Sequence, residues 1–213
     1  MKLLLAGASG LVGNRLLAQA SDRGHETVLV TRRALGSGHE EIITDFEPGL
    51  ELPGADAAVC TLGTTIASAG SRAAFYAVDH DAVIAYATAA RRAGVEHFLV
   101  ITAVGANPRA AVYYSRVKGE VERDLDAIGF RCLDIAQPGL LLGSRGERRP
   151  VESFLQSIDP LARKFLLGPL DRYAGIAAEH VAKALLELCS DSTRSGVFRH
   201  GNRDLQALSV KLS

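Results

Sequence analysis

The run Gly7-Ala8-Ser9-Gly10-Leu11-Val12-Gly13 constrains this chain more than any other segment. It follows directly on the apolar stretch 2–6, of strand length, and opens a helical pattern over residues 10–21. Glycines at every third position across a strand-to-helix junction meet three geometric needs. One lets the chain turn sharply, one lets backbone approach a bound group, and one lets the helix pack closely on the strand. A helix that begins this way aims unpaired N–H groups and the positive end of its dipole at whatever lies above the loop. A phosphate is the natural occupant. The spacing is GxxGxxG, a variant of the commoner GxGxxG.

The strand–helix alternation then repeats. Asp22-Arg23-Gly24-His25 stops the first helix, with Gly24 suited to the left-handed cap position. Further strands are expected at 26–31, 41–44, 57–61, 95–102 and 130–135, and helices over 71–92 and 113–128. This order predicts parallel pairing, right-handed crossovers and helices on both faces of the sheet. Strands that are apolar almost throughout fit a sheet covered on both sides. The expected fold is therefore α/β, a doubly wound Rossmann fold with a mostly parallel sheet. After Gln137-Pro138-Gly139 the pattern loosens, and residues 140–173 carry Pro150, Pro160 and Pro169 with the basic stretch Arg145-Gly146-Glu147-Arg148-Arg149. That stretch reads as a lid or small C-terminal substrate-side segment. A helix over 177–189 and a strand over 196–200 follow. With 213 residues, 47% of them hydrophobic, the expectation is a single NAD(P)-binding domain over 1–213.

The second strand ends in Thr31-Arg32-Arg33. Domains of this type that use NAD place an acid there to bind the ribose 2′-hydroxyl, about twenty residues past the glycines. Two guanidiniums instead favour a 2′-phosphate through charge-assisted forks. The expected cofactor is NADP(H), with NAD(H) the alternative. Lys plus Arg equals Asp plus Glu at 24 each, which argues against a general electrostatic binder of nucleic acid or membrane. The expected partner is a small-molecule substrate, and a homodimer through the two central helices is possible. Cys60, Cys132 and Cys189 have no paired spacing and read as buried, reduced thiols. Six histidines without an HxH or HExxH pattern give no metal site. The short apolar opening before Gly7 is no secretory signal, so a cytoplasmic protein is expected.

GASGLVG, the Cys60-Thr61-Leu62-Gly63-Thr64-Thr65 turn, Val100–Asn107 (VITAVGAN) and Tyr114-Ser115-Arg116-Val117-Lys118-Gly119-Glu120 together resemble one family. They are similar to atypical short-chain dehydrogenase/reductases of NAD(P)H-binding NmrA-like architecture, the Tat-interacting-protein-like branch. The resemblance implies a strand order of 3-2-1-4-5-6 with the dinucleotide along the carboxyl edge. It implies Leu62, Gly63 and Thr64 near the adenosine ribose and phosphates, and Asp45 and Phe46 beside the adenine. Pro138, Gly139 and Leu140 would lie near the nicotinamide, and Lys118 on its ribose.

Tyr114 and Lys118 stand four apart on an expected helix and so share a face. The ammonium would lower the phenol from its usual ~10, readying Tyr114 to protonate a substrate oxygen. Thr102, twelve positions before Tyr114, is the expected orienting hydroxyl; Ala103 beside it stands where relatives carry a second serine. Asp79-His80-Asp81 reads as a solvated or helix-pairing segment, and Arg145, Arg148 and Arg149 as surface charge. The leading functional reading is an NADP(H)-dependent oxidoreductase acting on a small carbonyl or quinone-like substrate. An NADP(H)-binding regulatory or redox-sensing protein without turnover is the second. An isomerase or epimerase of nucleotide sugars ranks third, because roughly 70 residues after the sixth strand leave little room for its substrate domain.

Overall fold

The structure, a computed structural model, describes residues 1–143 and 174–210. Seven strands form one parallel sheet. They are β1 (Lys2–Ala6), β2 (Glu26–Thr31), β3 (Glu40–Ile43), β4 (Ala57–Cys60), β5 (His97–Ile101), β6 (Cys132–Ala136) and β9 (Gly196–His200). Their order is β3-β2-β1-β4-β5-β6-β9, which is the expected order with one more strand at the edge. A separate parallel pair, β7 (Leu140–Leu142) and β8 (Gly175–Ala177), was not legible in the sequence, being only three residues per strand.

Alternate residues of each strand feed two cores. Leu3 and Leu5 join Val59 and Leu99 under α1 (Leu11–Asp22) and α6 (Ala178–Ser190). Leu4 and Ala6 join Val28, Val30, Phe98 and Leu133 under α4 (Ala82–Arg92) and α5 (Tyr113–Ile128). Such double coverage is why these strands carry almost no polar side chain, at about 1.5–3 kcal/mol for each large apolar group buried. Gly24 and Gly129 close α1 and α5 in left-handed conformation, as the helix-stop reading requires.

The helix expected over 71–92 is not continuous. Ser71 caps α3 (Arg72–Tyr76) by accepting from Ala74 N–H, and a π-turn at Ala77–Asp81 then joins it to α4. A short helix, α2 (Ile66–Ala69), precedes them, and α7 (Asn202–Val210) follows β9. The π-turn inserts extra backbone into the helix and rotates the residues around it, a distortion that clusters at functional sites. Residues Arg145, Arg148 and Arg149, and most of the expected lid, lie outside the described residues. Among the described residues no helix is long and apolar enough to cross a membrane.

Candidate active site

The glycine loop has the geometry its spacing demands. Gly7 adopts φ +88°, and a Cβ there would lie 2.6 Å from Thr61 Oγ1 and 2.7 Å from the Thr61 carbonyl carbon. A Cβ at Gly13 would sit 2.2 Å from the Gly7 carbonyl oxygen. Glycine is therefore obligatory at both positions, and the start of α1 is drawn down onto the ends of β1 and β4. Gly10 occupies the N-cap of α1 without a side-chain cap, so the first N–H groups of Leu11, Val12 and Gly13 have no capping oxygen of their own. Ser9 is exposed beside them, and Leu11 reaches over the loop to within 3.0 Å of where a Gly143 Cβ would stand.

Thr61 links this loop to a second cluster. Two residues on, a Cβ at Gly63 would lie 3.5 Å from Asp79 Oδ1 and 3.8 Å from Lys118 Nζ. Lys118 and Asp79 form an ion pair of 2.7 Å, both side chains almost wholly buried. The other Asp79 oxygen accepts from the Thr64 N–H at 2.8 Å. Tyr114, half-buried one turn before Lys118, packs its ring on Phe75 with centroids 5.7 Å apart. Of the two readings of its segment, solvated or helix-pairing, Asp79 follows the second, since it pairs with Lys118 of α5. The π-turn turns it inward, while His80 reaches Asp124 of α5 at 2.9 Å and Asp81 stays at the surface.

Asp79 also changes the electrostatics expected of the pair. Burial pushes the Tyr114 phenol above its usual 10; Lys118 draws it down, and the Asp79 carboxylate pushes it up again. The net direction is upward, opposite to the one expected from Tyr and Lys alone. Burial works against the Lys118 ammonium, but Asp79 and Tyr114 outweigh it and hold its pKa above the ordinary lysine value. Asp79 itself is raised by burial, with Lys118 and the Thr64 N–H opposing.

Thr102, buried at the end of β5, donates its hydroxyl proton to Glu122 Oε1 at 2.7 Å. Glu122, one turn beyond Lys118 on α5, also accepts from Gln137 Nε2 and Arg199 Nε. Sequence reasoning missed Glu122, although its place eight residues past Tyr114 on the same helix face was a usable signal. Gly119 of the Tyr-to-Glu motif is a packing residue: a Cβ there would stand 2.2 Å from the Asn107 carbonyl carbon.

The remaining expected positions differ in exposure. Arg32 and Arg33 are exposed just past β2. Asp45 is exposed, whereas Phe46, with φ +59°, is buried with its ring edge-on to Tyr86 in the core. Leu62 is half-buried. Pro138 is buried with its carbonyl accepting from Val104 N–H, Gly139 N–H donates to Asn202 Oδ1, and Leu140 opens β7.

On the other face of the sheet a second buried carboxylate gathers a different set. Asp134 in β6 accepts from His97 Nε2 at 2.8 Å, His200 Nε2 at 2.7 Å and both terminal nitrogens of Arg194, with the Cys132 thiol at 3.6 Å. Burial opposes its charge, but His200, His97 and Arg194 hold it well below the usual carboxylate range. His97, Cys132 and Asp134 bring three groups able to ligate a metal within 4.8 Å of one another, a convergence no sequence spacing announced. The hydrogen bonds from Arg194 and both imidazoles already account for the carboxylate. Cys60, Cys132 and Cys189 are all free and buried, and burial lifts Cys60 to about 12 and Cys132 to about 11.

The parallel seven-stranded sheet with its glycine loop after β1 defines a Rossmann-like fold of the short-chain dehydrogenase/reductase type. Similar folds are a putative NAD-dependent epimerase/dehydratase from Bacillus halodurans (TM-score 0.71, 19% identity, 98% of both chains) and human epimerase family protein SDR39U1 with NADPH (TM-score 0.67, 19% identity, 94% of this chain and 74% of that one). MoeE5 in complex with UDP-glucose and NAD is another, at TM-score 0.71 and 18% identity over 94% and 76% of the two chains. No protein-family model matches the chain. In sequence it is 35% identical over 153 residues to Protein FMP52, mitochondrial, of Eremothecium gossypii, 68% of each protein. It is 32% identical over 185 residues to Protein HTATIP2 of Rattus norvegicus, 81% of this chain and 73% of that one. The match to the FMP52 of Aspergillus fumigatus spans only 50% of that relative's length. The chain belongs to the family of FMP52 and HTATIP2. The FMP52 relatives are named as mitochondrial proteins, which overturns the cytoplasmic expectation. That expectation rested on the lack of a secretory signal, which does not tell the cytoplasm from a mitochondrion.

Proposed function

We propose that the chain is an NADP(H)-dependent oxidoreductase that reduces a small carbonyl or quinone-like substrate. One observation carries the reading. Lys118 Nζ lies beside Gly63 of the turn whose Thr61 packs against Gly7 and Gly13, so Lys118 and the glycine loop meet at the turn after β4. The cradle at Gly7 and Gly13 and the uncapped start of α1 suit a pyrophosphate, held by Gly7, Ser9, Gly10, Leu11, Val12 and Gly13. Arg32 and Arg33 would take the 2′-phosphate. Asp45 and the Phe46 backbone would flank the adenine, and Leu62, Gly63 and Thr64 the adenosine ribose. Lys118 would hold the nicotinamide ribose with the donors Asp79 leaves to it, and Pro138, Gly139 and Leu140 would border the ring. When bound, the cofactor supplies the hydride. Tyr114, kept a phenol by its surroundings, gives its proton to the substrate oxygen. Thr102 serves by tying the end of β5 to Glu122.

The same Thr102 bond, with Ala103 in place of a second hydroxyl, favours one competing reading: an NADP(H)-binding redox sensor without turnover. Fluorescence titration with NADPH and NADH, in wild type and in Arg32→Ala/Arg33→Ala, tests the cofactor. NADPH binding should weaken about tenfold or more in the double variant, with NADH little changed. Tyr114→Phe then separates enzyme from sensor in a carbonyl and quinone screen. Turnover should fall about 100-fold or more with NADPH affinity kept. Activity unchanged by that substitution would remove the enzyme reading, and no binding of either cofactor would remove both.

A further inference from the structure

We infer that Asp79 is a positioning residue of this site: its buried carboxylate clamps Lys118 Nζ to the turn after β4 and cancels the ammonium charge, so that Tyr114 works as a proton donor. The inference rests on the oxidoreductase reading and names a control that the reading lacks. Three features converge on it. The π-turn at Ala77–Asp81 is the local distortion that carries Asp79 from a helix surface into the interior, where its side chain is wholly buried. Its two oxygens are divided between partners on different elements, Lys118 Nζ of α5 at 2.7 Å and the Thr64 N–H at 2.8 Å. Gly63, the residue before Thr64 in the turn after β4, leaves no side chain to separate the turn from that ion pair.

Among the described residues, Lys118 and Asp79 act on Tyr114 by charge, with Cys60 of β4 adding to the surroundings of Lys118. A lone ammonium beside a buried phenol favours the phenolate, which suits a base that removes a proton from an alcohol. An ammonium neutralised at 2.7 Å loses most of that effect, and burial then keeps the phenol protonated. A protonated Tyr114 is the form that can donate to a carbonyl oxygen as it becomes an alkoxide.

The first test needs no cofactor. Tyrosinate absorbance is titrated in wild type and Tyr114→Phe, whose difference isolates Tyr114 from the other four tyrosines. The same difference is then taken in an Asp79→Asn background. The Tyr114 midpoint should fall by about one pH unit or more when Lys118 is left unopposed. A midpoint that is unchanged or higher overturns the inference. Asp79→Glu is the second variant, in case Asp79→Asn does not fold: it keeps the charge but displaces it by a methylene. It should hold the Tyr114 midpoint near the wild-type value while weakening NADPH binding about fivefold or more, since Lys118 is moved. A Glu variant that binds NADPH as wild type does overturns the clamp. Failure of wild type to bind NADPH counts against the functional reading alone, because the tyrosinate titration is read without it.

Discussion

Asp79, in the π-turn over one face of the sheet, and Asp134, in β6 and turned to the other, are both buried carboxylates, and they are treated oppositely. Asp134 receives two imidazoles, a guanidinium at both terminal nitrogens and a thiol, and its pKa is driven well down. Asp79 has one ammonium and one backbone N–H, and burial wins, raising it. The difference separates a structural charge from an adjustable one. Donors in excess lock Asp134 in its ionised form and stitch strands β5, β6 and β9 together through His97 and His200. Donors in short supply leave Asp79 able to respond to whatever Lys118 next meets.

Substitutions should divide along the same line. Asp134→Ala leaves His97, His200 and Arg194 without their acceptor and should lower unfolding free energy by about 3–5 kcal/mol in urea denaturation. Its folded remainder should bind NADPH within twofold of wild type; a larger change would erase the distinction. Acid sharpens it further. The Asp134 folded pKa is depressed, so its stabilisation is fully present above the unfolded value near ~3.9 and is lost as pH falls below that. Asp79, with a raised folded pKa, contributes with the opposite sign, since protonation relieves the burial of its charge. Stability followed by denaturation from pH 7 downward should therefore hold until about pH 4 and then drop, and Asp134→Asn should flatten that drop. A steep loss between pH 7 and 5 would break the assignment. The smallest effect is at the edge strand, where Arg199→Ala should cost about 1 kcal/mol, because its guanidinium is half exposed even though Glu122 is not.

Much of this architecture could be read along the chain. The strands at Lys2–Ala6, Glu26–Thr31 and Gly196–His200 and the helix at Tyr113–Ile128 match their sequence patterns residue for residue. Their signals are local: apolar runs, a 3.6-residue period and a glycine at the left-handed stop. The helix over 71–92 was read as unbroken because a π-turn has the composition of the helix it interrupts. The short strands Leu140–Leu142 and Gly175–Ala177 are too brief to leave a period at all.

The site divides in the same way. Gly7, Gly13, Tyr114 and Lys118 were legible because each acts at a fixed spacing from its neighbours, and backbone sterics or helix geometry turn that spacing into position. Asp79, Glu122 and Asp134 were not. Their partners are Lys118, Thr102 and the residues His97 and His200, brought close only when helix α5 and strands β5, β6 and β9 pack. Whether a carboxylate ends at the surface or in the interior, and with how many donors, is a property of that packing. By itself the sequence determined a dinucleotide-type sheet, its glycine cradle and the Tyr114/Lys118 face. Only the tertiary structure decided which charges those two residues share, because Coulomb forces and desolvation depend on distances through space.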